Sequence, residues 1–229
     1  MSRSIAIDGP AGAGKSTIAK KVSAKLGYIY LDTGAMYRAV ALKALQSGID
    51  TKNQHGLADI MEKLDIAIAH ENNLQKIFLD GVDVSEAIRT AEVSAGASNV
   101  AAFPEVRLKM VELQRKIASG ADVVMDGRDI GSYVLPDADL KIFLTASVEE
   151  RAGRRFNELL CKGQQVTYEA VRQEMVQRDK NDSTRALAPL VKVPDAIEID
   201  STALEIDEVV EKIIYFYQNY ANIKYEDIS

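Results

Sequence analysis

Nine residues near the start of the chain carry the clearest chemistry: Gly9, Pro10, Ala11, Gly12, Ala13, Gly14, Lys15, Ser16 and Thr17. They fit G-x-x-x-x-G-K-[ST], the pattern of a phosphate-binding loop. Glycines let the backbone wrap closely around phosphate oxygens where a Cβ would collide. The amides of such a loop and the positive end of the helix after it hold a triphosphate by fixed dipoles. Lys15 is placed to reach the β- and γ-phosphates, and the Ser16 hydroxyl to ligate Mg²⁺. The loop by itself says that a nucleoside triphosphate is bound and leaves the subsequent chemistry open.

The next chemical signal is arginine in and beside predicted loops: Arg38, Arg107, Arg128, Arg151, Arg154, Arg155, Arg178 and Arg185. Planar guanidinium pairs in bidentate fashion with phosphate oxygens. Arg38 and Arg128 each lie just past a strand-like run, whereas Arg107 and Arg151 read equally well as solvated surface charges. So many arginines imply a second phosphorylated ligand beside the triphosphate. Phosphoryl transfer needs the acceptor aligned with the γ-phosphate and the spread negative charge neutralised, and little covalent help. Asp126 ends an apolar run, where a carboxylate holds a magnesium-bound water or orients the phosphate loop.

Elements must bring these residues together. Ser4 to Asp8 is a short β-type run before the loop, and Ile18 to Leu26 a helical run after it, stopped by Gly27. Tyr28 to Asp32 is a second strand, followed by a polar turn and a helix from Met36 to Ser47. That order puts Asp32, Thr33 and Arg38 near the carboxyl edge of a sheet, where α/β proteins bind ligands. Leu57 to Leu64 reads as a short helix. Ile66–His70, a turn at Glu71-Asn72-Asn73, Leu74–Leu79 and Val82–Val84 read as a small antiparallel meander. Glu92–Val100 and Pro104–Ser119 are helical, Val123–Asp126 and Leu140–Thr145 are strands, and Val148 to Lys162 and Tyr168 to about Arg178 form a helical hairpin. Ala196–Asp200 is the last strand, before a final helix to about Tyr220.

Five strands of parallel type, near residues 5, 29, 124, 142 and 198, predict an α/β fold: a doubly wound, three-layer sheet. The hairpin unit is an insertion. The expected division of the single unit is a core of about 1–35, 100–150 and 180–229, an insertion of about 36–99 and a lid of about 151–179.

Bulk properties exclude other classes. Of 229 residues, 47% are hydrophobic and 27% charged, ordinary values for a globular chain with a sizeable core. The formal net charge of −6 argues against a general binder of nucleic acid or anionic membrane. The single Cys161 allows no internal disulfide, which fits a reducing compartment. Cys161 reads as a packed or half-exposed thiol and His55 and His70 as surface residues. With no signal peptide and no membrane-spanning apolar run, the sequence reads as cytoplasmic.

Four blocks together closely resemble the bacterial cytidylate kinase family. They are the phosphate loop, Leu31-Asp32-Thr33-Gly34-Ala35-Met36-Tyr37-Arg38, Asp126-Gly127-Arg128-Asp129-Ile130-Gly131, and Arg178 to Leu190. Thr33 stands where some members carry Ser, which keeps the hydroxyl. The resemblance runs from about Ile5 to the last helix and implies a P-loop nucleoside monophosphate kinase fold. It further implies ATP-dependent, Mg²⁺-assisted phosphorylation of CMP and dCMP by a monomer, with small nucleotides as its only partners. By matching positions, Arg38 and Arg128 hold the acceptor phosphate, while Ser98, Arg107 and Asp129 read the base. Arg178 and Asp182 contact the ribose, Arg185 lies near the transferring phosphates, and the lid arginines Arg154 and Arg155 approach the donor. A carboxylate suits the exocyclic amine of cytosine, while Arg or Ser suits its acceptors. Uracil would set a carbonyl against Asp129, a buried mismatch of about 1–3 kcal/mol. Two rivals stand beside this reading. Another P-loop kinase, acting on adenylate, shikimate or gluconate, is disfavoured by the hairpin insertion and the arginine-rich segment. A guanine-nucleotide switch would need N-K-x-D, which Lys180-Asn181-Asp182 does not supply.

Overall fold

The computed structural model describes residues 2–71 and 74–226. The expected turn at Asn72-Asn73 lies outside them. Five parallel strands form the main sheet: β1 (Ser4–Asp8), β2 (Ile29–Asp32), β6 (Val123–Gly127), β7 (Leu140–Thr145) and β8 (Ile197–Asp200), in the order β2-β6-β1-β7-β8. The register sets Asp8 opposite Gly127 and Asp32 opposite Asp126. The carboxyl ends of three neighbouring strands therefore finish side by side. The strands are apolar almost throughout because the sheet is covered on both faces.

Alternation along the strands divides the core. Ile5, Ile7, Tyr30, Val124 and Ile142 pack with α1 (Lys15–Leu26) and α8 (Ile206–Glu226). Ala6, Leu31, Val123 and Met125 face a larger cluster with α2 (Thr33–Gln46), α3 (Gln54–Lys63), α4 (Ala91–Val100) and α5 (Pro104–Gly120). The latter cluster continues into the small antiparallel sheet of β3 (Ile66–Glu71), β4 (Leu74–Leu79) and β5 (Val82–Asp83). A hairpin of α6 (Val148–Cys161) and α7 (Tyr168–Thr184) adds a satellite cluster, where Ala152 and Met175 meet Ala11 of the phosphate loop. Local chemistry fixes the ends. Gly27 takes the left-handed conformation at φ 71° to stop α1. Ser147 and Thr167 cap α6 and α7 by accepting from Glu150 N and Ala170 N.

Three expectations change. The second helix starts at Thr33, because Asp32 both ends β2 and caps α2, accepting from Ala35 N at 2.9 Å. No polar turn separates them. The last lid helix continues past Arg178 to Thr184, so the segment expected to break out of the helix lies within it. His70 is half-buried and bonds to the Tyr30 carbonyl at 2.8 Å. Its register partner Gln75 accepts from Asp32 N at 2.6 Å. These two side chains occupy the exposed edge of β2, where another strand would otherwise pair. His55 is exposed as expected, and Cys161, expected to be packed or half-exposed, is exposed as well, a further departure from the sequence reading. Among the described residues no helix is long and apolar enough to cross a membrane.

Candidate active site

The loop between β1 and α1 has the conformation its glycines require. Gly12 and Gly14 have φ of 75° and 89°, and Gly14 is the N-cap of α1. Gly9, at φ 148°, passes so close to β7 that a Cβ would sit 1.9 Å from the Leu144 carbonyl oxygen. Lys15 is buried and donates to the Pro10 carbonyl at 2.6 Å. Burial, then the Arg128 charge, holds its pKa well below the ordinary lysine value. The Ser16 hydroxyl donates to Asp126 Oδ2 at 2.8 Å, and Tyr30 donates to Oδ1 at 2.8 Å. Asp126 is pushed up by burial and by Asp32 nearby. A serine hydroxyl and a carboxylate meeting beside a phosphate loop form the hard-oxygen set that suits Mg²⁺, with phosphates and water completing its shell.

Asp32, at the end of β2, organises the second group. Its Oδ2 accepts from Arg38 Nη2 at 2.7 Å, and Arg89 Nη1 lies 3.6 Å from the same oxygen. Thr33 donates to the Asp126 carbonyl at 2.7 Å, tying α2 to β6.

The third group follows β6. Arg128 Nε pairs with Asp182 Oδ2 at 2.8 Å, across from α7. Asp129 is held between two guanidiniums. Arg107 pairs with its Oδ2, and Arg185 Nη2 lies 3.2 Å from its Oδ1. Arg107 is 1% exposed, stacks over Tyr37 at 5.5 Å, and donates Nη1 to the Ala101 carbonyl. A cleft of about 300 Å³ opens beside this network, lined by Ser98, Phe103, Asp182 and Arg185 among others. Arg178 lies close by. Burial, and then Arg128, lower its pKa to about 10. Burial opposes an ionised Asp182, but Arg128 and Arg178 hold its pKa below the usual carboxylate value. The Nε atoms of Arg38 and Arg178 are buried without a protein partner, as donors awaiting an anion would be.

In the lid, Arg154 packs against Ser201, donating to its carbonyl at 2.9 Å. A Cβ at Gly14 would come 3.9 Å from its Nη1, so Arg154 borders the phosphate loop. Arg155 pairs instead with Glu158 at 2.8 Å on the lid's own surface.

The order and content of these groups match a known family. A family model described as cytidylate kinase matches residues 5–219. The cytidylate kinase of Clostridioides difficile is 55% identical over 210 residues, covering 92% of this chain and 95% of that protein. That of Desulfitobacterium hafniense is 51% identical over 221 residues, covering 96% and 95%. That of Bacillus subtilis is 52% identical over 211, covering 92% and 94%. The chain belongs to the cytidylate kinase family. It is accordingly a phosphotransferase enzyme. A gluconokinase crystal structure from Sinorhizobium meliloti aligns over 98% of this chain and 97% of its own, with a TM-score of 0.53 and 12% identity, a likeness of fold alone.

In this cytidylate kinase family member, the structure also shows residues that sequence patterns missed. Arg151, half expected to be a surface charge, is 4% exposed. It donates to the Ala11 carbonyl at 3.0 Å and pairs with Asp179 at 2.8 Å, joining phosphate loop to lid. Arg89 stands in a 3-10 turn at Ala87–Arg89 that no local pattern announced. Asp8, accepting two backbone amides from the segment after Asp129, was read only as a strand end. A lone Asp before a glycine-rich loop signals nothing by itself.

Proposed function

We propose that the protein phosphorylates CMP and dCMP to CDP and dCDP with ATP as donor and Mg²⁺ as cofactor, in pyrimidine nucleotide metabolism. The observation that carries this reading is the buried Asp129 carboxylate, fixed between Arg107 and Arg185 beside the cleft that Ser98 lines. An oriented acceptor with neighbouring donors complements the amine, N3 and O2 of cytosine. Family membership supports the same substrate.

In this reading the loop amides of residues 9–17 and Lys15 hold the ATP phosphates, and Lys15 turns from Pro10 toward the β,γ-bridge. Ser16 and Asp126, the latter directly or through water, would hold Mg²⁺, which would neutralise charge on the triphosphate. Arg38 and Arg128 take the CMP phosphate, with Thr33 and Asp32 setting their positions. Arg178 and Asp182 hold the ribose; acceptance at the 3′-hydroxyl admits dCMP. A CMP phosphate oxygen, already ionised, attacks the γ-phosphorus in line, and the bond to the bridging oxygen breaks with its electron pair leaving on ADP. No base is needed. Arg154 and Arg185 stabilise the charge spread over the transferring group, and Arg155 joins them if α6 swings inward. The insertion (36–99) and lid (151–179) close over a core that one copy of the chain completes.

A coupled diphosphate-release assay with ATP and Mg²⁺, run against CMP, dCMP, UMP, AMP, GMP and no acceptor, tests the reading. Turnover concentrated in CMP and dCMP is expected. Turnover favouring AMP or UMP would overturn the assignment of the base site, and release without acceptor would overturn phosphoryl transfer to a monophosphate.

A further inference from the structure

Asp8 has no part in the chemistry above, yet it touches both halves of the site. It closes β1 one residue before the phosphate loop and is 6% exposed. Its Oδ1 accepts the Ile130 amide at 2.8 Å and its Oδ2 the Gly131 amide at 2.7 Å. Those amides open a π-helical turn, Ile130–Val134, immediately after Arg128 and Asp129. The turn closes on its own backbone bonds, Tyr133 N and Val134 N to the Asp129 carbonyl and Leu135 N to the Ile130 carbonyl, and Arg115 holds its far end; its leading amides are tied to the phosphate-loop side by Asp8, 122 and 123 residues away. The strand ladder between β1 and β6 ends at Asp8 and Gly127. Past that point, the Asp8 carboxylate carries the alignment onward. Packing leaves the turn little slack: a Cβ on Gly131 would meet Lys141 Cγ and Cδ at 3.2 Å and Asp8 Oδ2 at 3.4 Å.

We propose that Asp8 is the positioning residue that sets the acceptor loop, with Arg128 and Asp129, against the donor's phosphate loop. This rests on the reading of Arg128 and Asp129 as acceptor contacts. In-line transfer tolerates little misplacement, and an error of about 1 Å costs on the order of a hundredfold in rate. A carboxylate is the one small side chain that offers an acceptor to each of two adjacent amides. Burial lifts its pKa to about 6, opposed by the two amides and by Lys15. At neutral pH it therefore stays ionised and accepts from both.

The test is steady-state kinetics of wild type and Asp8→Asn with whichever monophosphate the wild type uses. Asparagine keeps one oxygen and turns an NH₂ group toward the second amide, donor against donor. The expected result is a kcat/KM for the acceptor lowered roughly ten- to a hundredfold with a raised acceptor KM, a smaller CMP/UMP preference, and a nearly unchanged KM for ATP. Both KM values moving together, or a lowered Tm with both unchanged, would overturn the proposal. Gly131→Ala presses a Cβ onto Lys141 Cγ and Cδ at 3.2 Å, which displaces the Gly131 amide from Oδ2, and should give the same selective rise; it decides the matter if Asp8→Asn does not fold. Equilibrium binding of CMP and of ATP to the same variants reads the split without turnover. Failure of the kinase reading and failure of this one are thus separate results.

Discussion

At the scale of single residues, charge is arranged ahead of its ligands. Asp129 faces two guanidiniums, so deleting it would strand Arg107 in the interior, at about 3–5 kcal/mol. Asp129→Asn is the gentler probe, because its amide still accepts from one arginine and can donate to the O4 of uracil. It should lower CMP turnover and shrink the CMP/UMP preference by about 1–3 kcal/mol, roughly ten- to a hundredfold. An unchanged ratio of the two kcat/KM values would remove Asp129 from base reading. Lys15 gives a second prediction. In the empty protein, burial and Arg128 depress its pKa. Triphosphate oxygens favour the charged form, so bound Lys15 has the higher pKa. ATP binding should then take up protons, and affinity should fall as pH rises through the empty-state pKa. Calorimetry in buffers of differing ionisation enthalpy, run at a series of pH values above the range where the phosphates ionise, should show net uptake that grows as pH rises and that Lys15→Met abolishes.

At the scale of elements, one helix links the two halves of the site. Helix α7 packs Met175, at its middle, under the phosphate loop and presents Asp182 to Arg128 near its carboxyl end. Met175→Ala empties a small buried cluster, an effect of about 2–5 kcal/mol for a well-packed site. Because Ala11 and Gly12 border that cluster, the KM for ATP should rise more than the KM for CMP. Equal rises in a substrate titration would mean that α7 acts only through global stability. What could be read from sequence follows the range of the forces involved. The five strands were legible from continuous apolar runs, and the small sheet from its alternation and polar turns. The phosphate loop and the arginines near strand ends were legible because their spacing is local. The merged cap and strand end at Asp32 was not, since one residue serves both elements. Nor was the extension of α7 to Thr184: Asp182 is polar in sequence but buried by its pairing with Arg128, 54 residues away. The burial of Arg107 and Arg151 was hidden for the same reason, as their carboxylates come from distant segments.

At the scale of the whole molecule, a chain of net charge −6 gathers Lys15, Arg38, Arg128 and Arg178 within electrostatic reach of one another, with Arg107 and Arg185 on Asp129 beside them. An acidic exterior sharpens that contrast and focuses anionic nucleotides onto the site. The same crowding of cations is costly while the site is empty, since burial and then the Arg128 charge lower the pKa of Arg178. In the proposed reading, two phosphorylated ligands remove that repulsion and give the orphaned Nε donors of Arg38 and Arg178 their partners. In the same reading the hairpin of α6 and α7 is a lid that responds to them. Among the described residues it meets the phosphate loop through a small apolar cluster and the Arg151 bonds, and its turn at Gly163 takes φ 73°. Ligand contacts made by Arg154, and by Arg155 once freed from Glu158, favour the closed form over the open one, which is the condition for a population shift. Amide hydrogen exchange over residues 150–175 should therefore slow when both nucleotides are bound, more than with either alone. Equal protection with and without the pair would mean that the lid is as closed in the empty protein as in the ternary complex, and that the arginines act without moving.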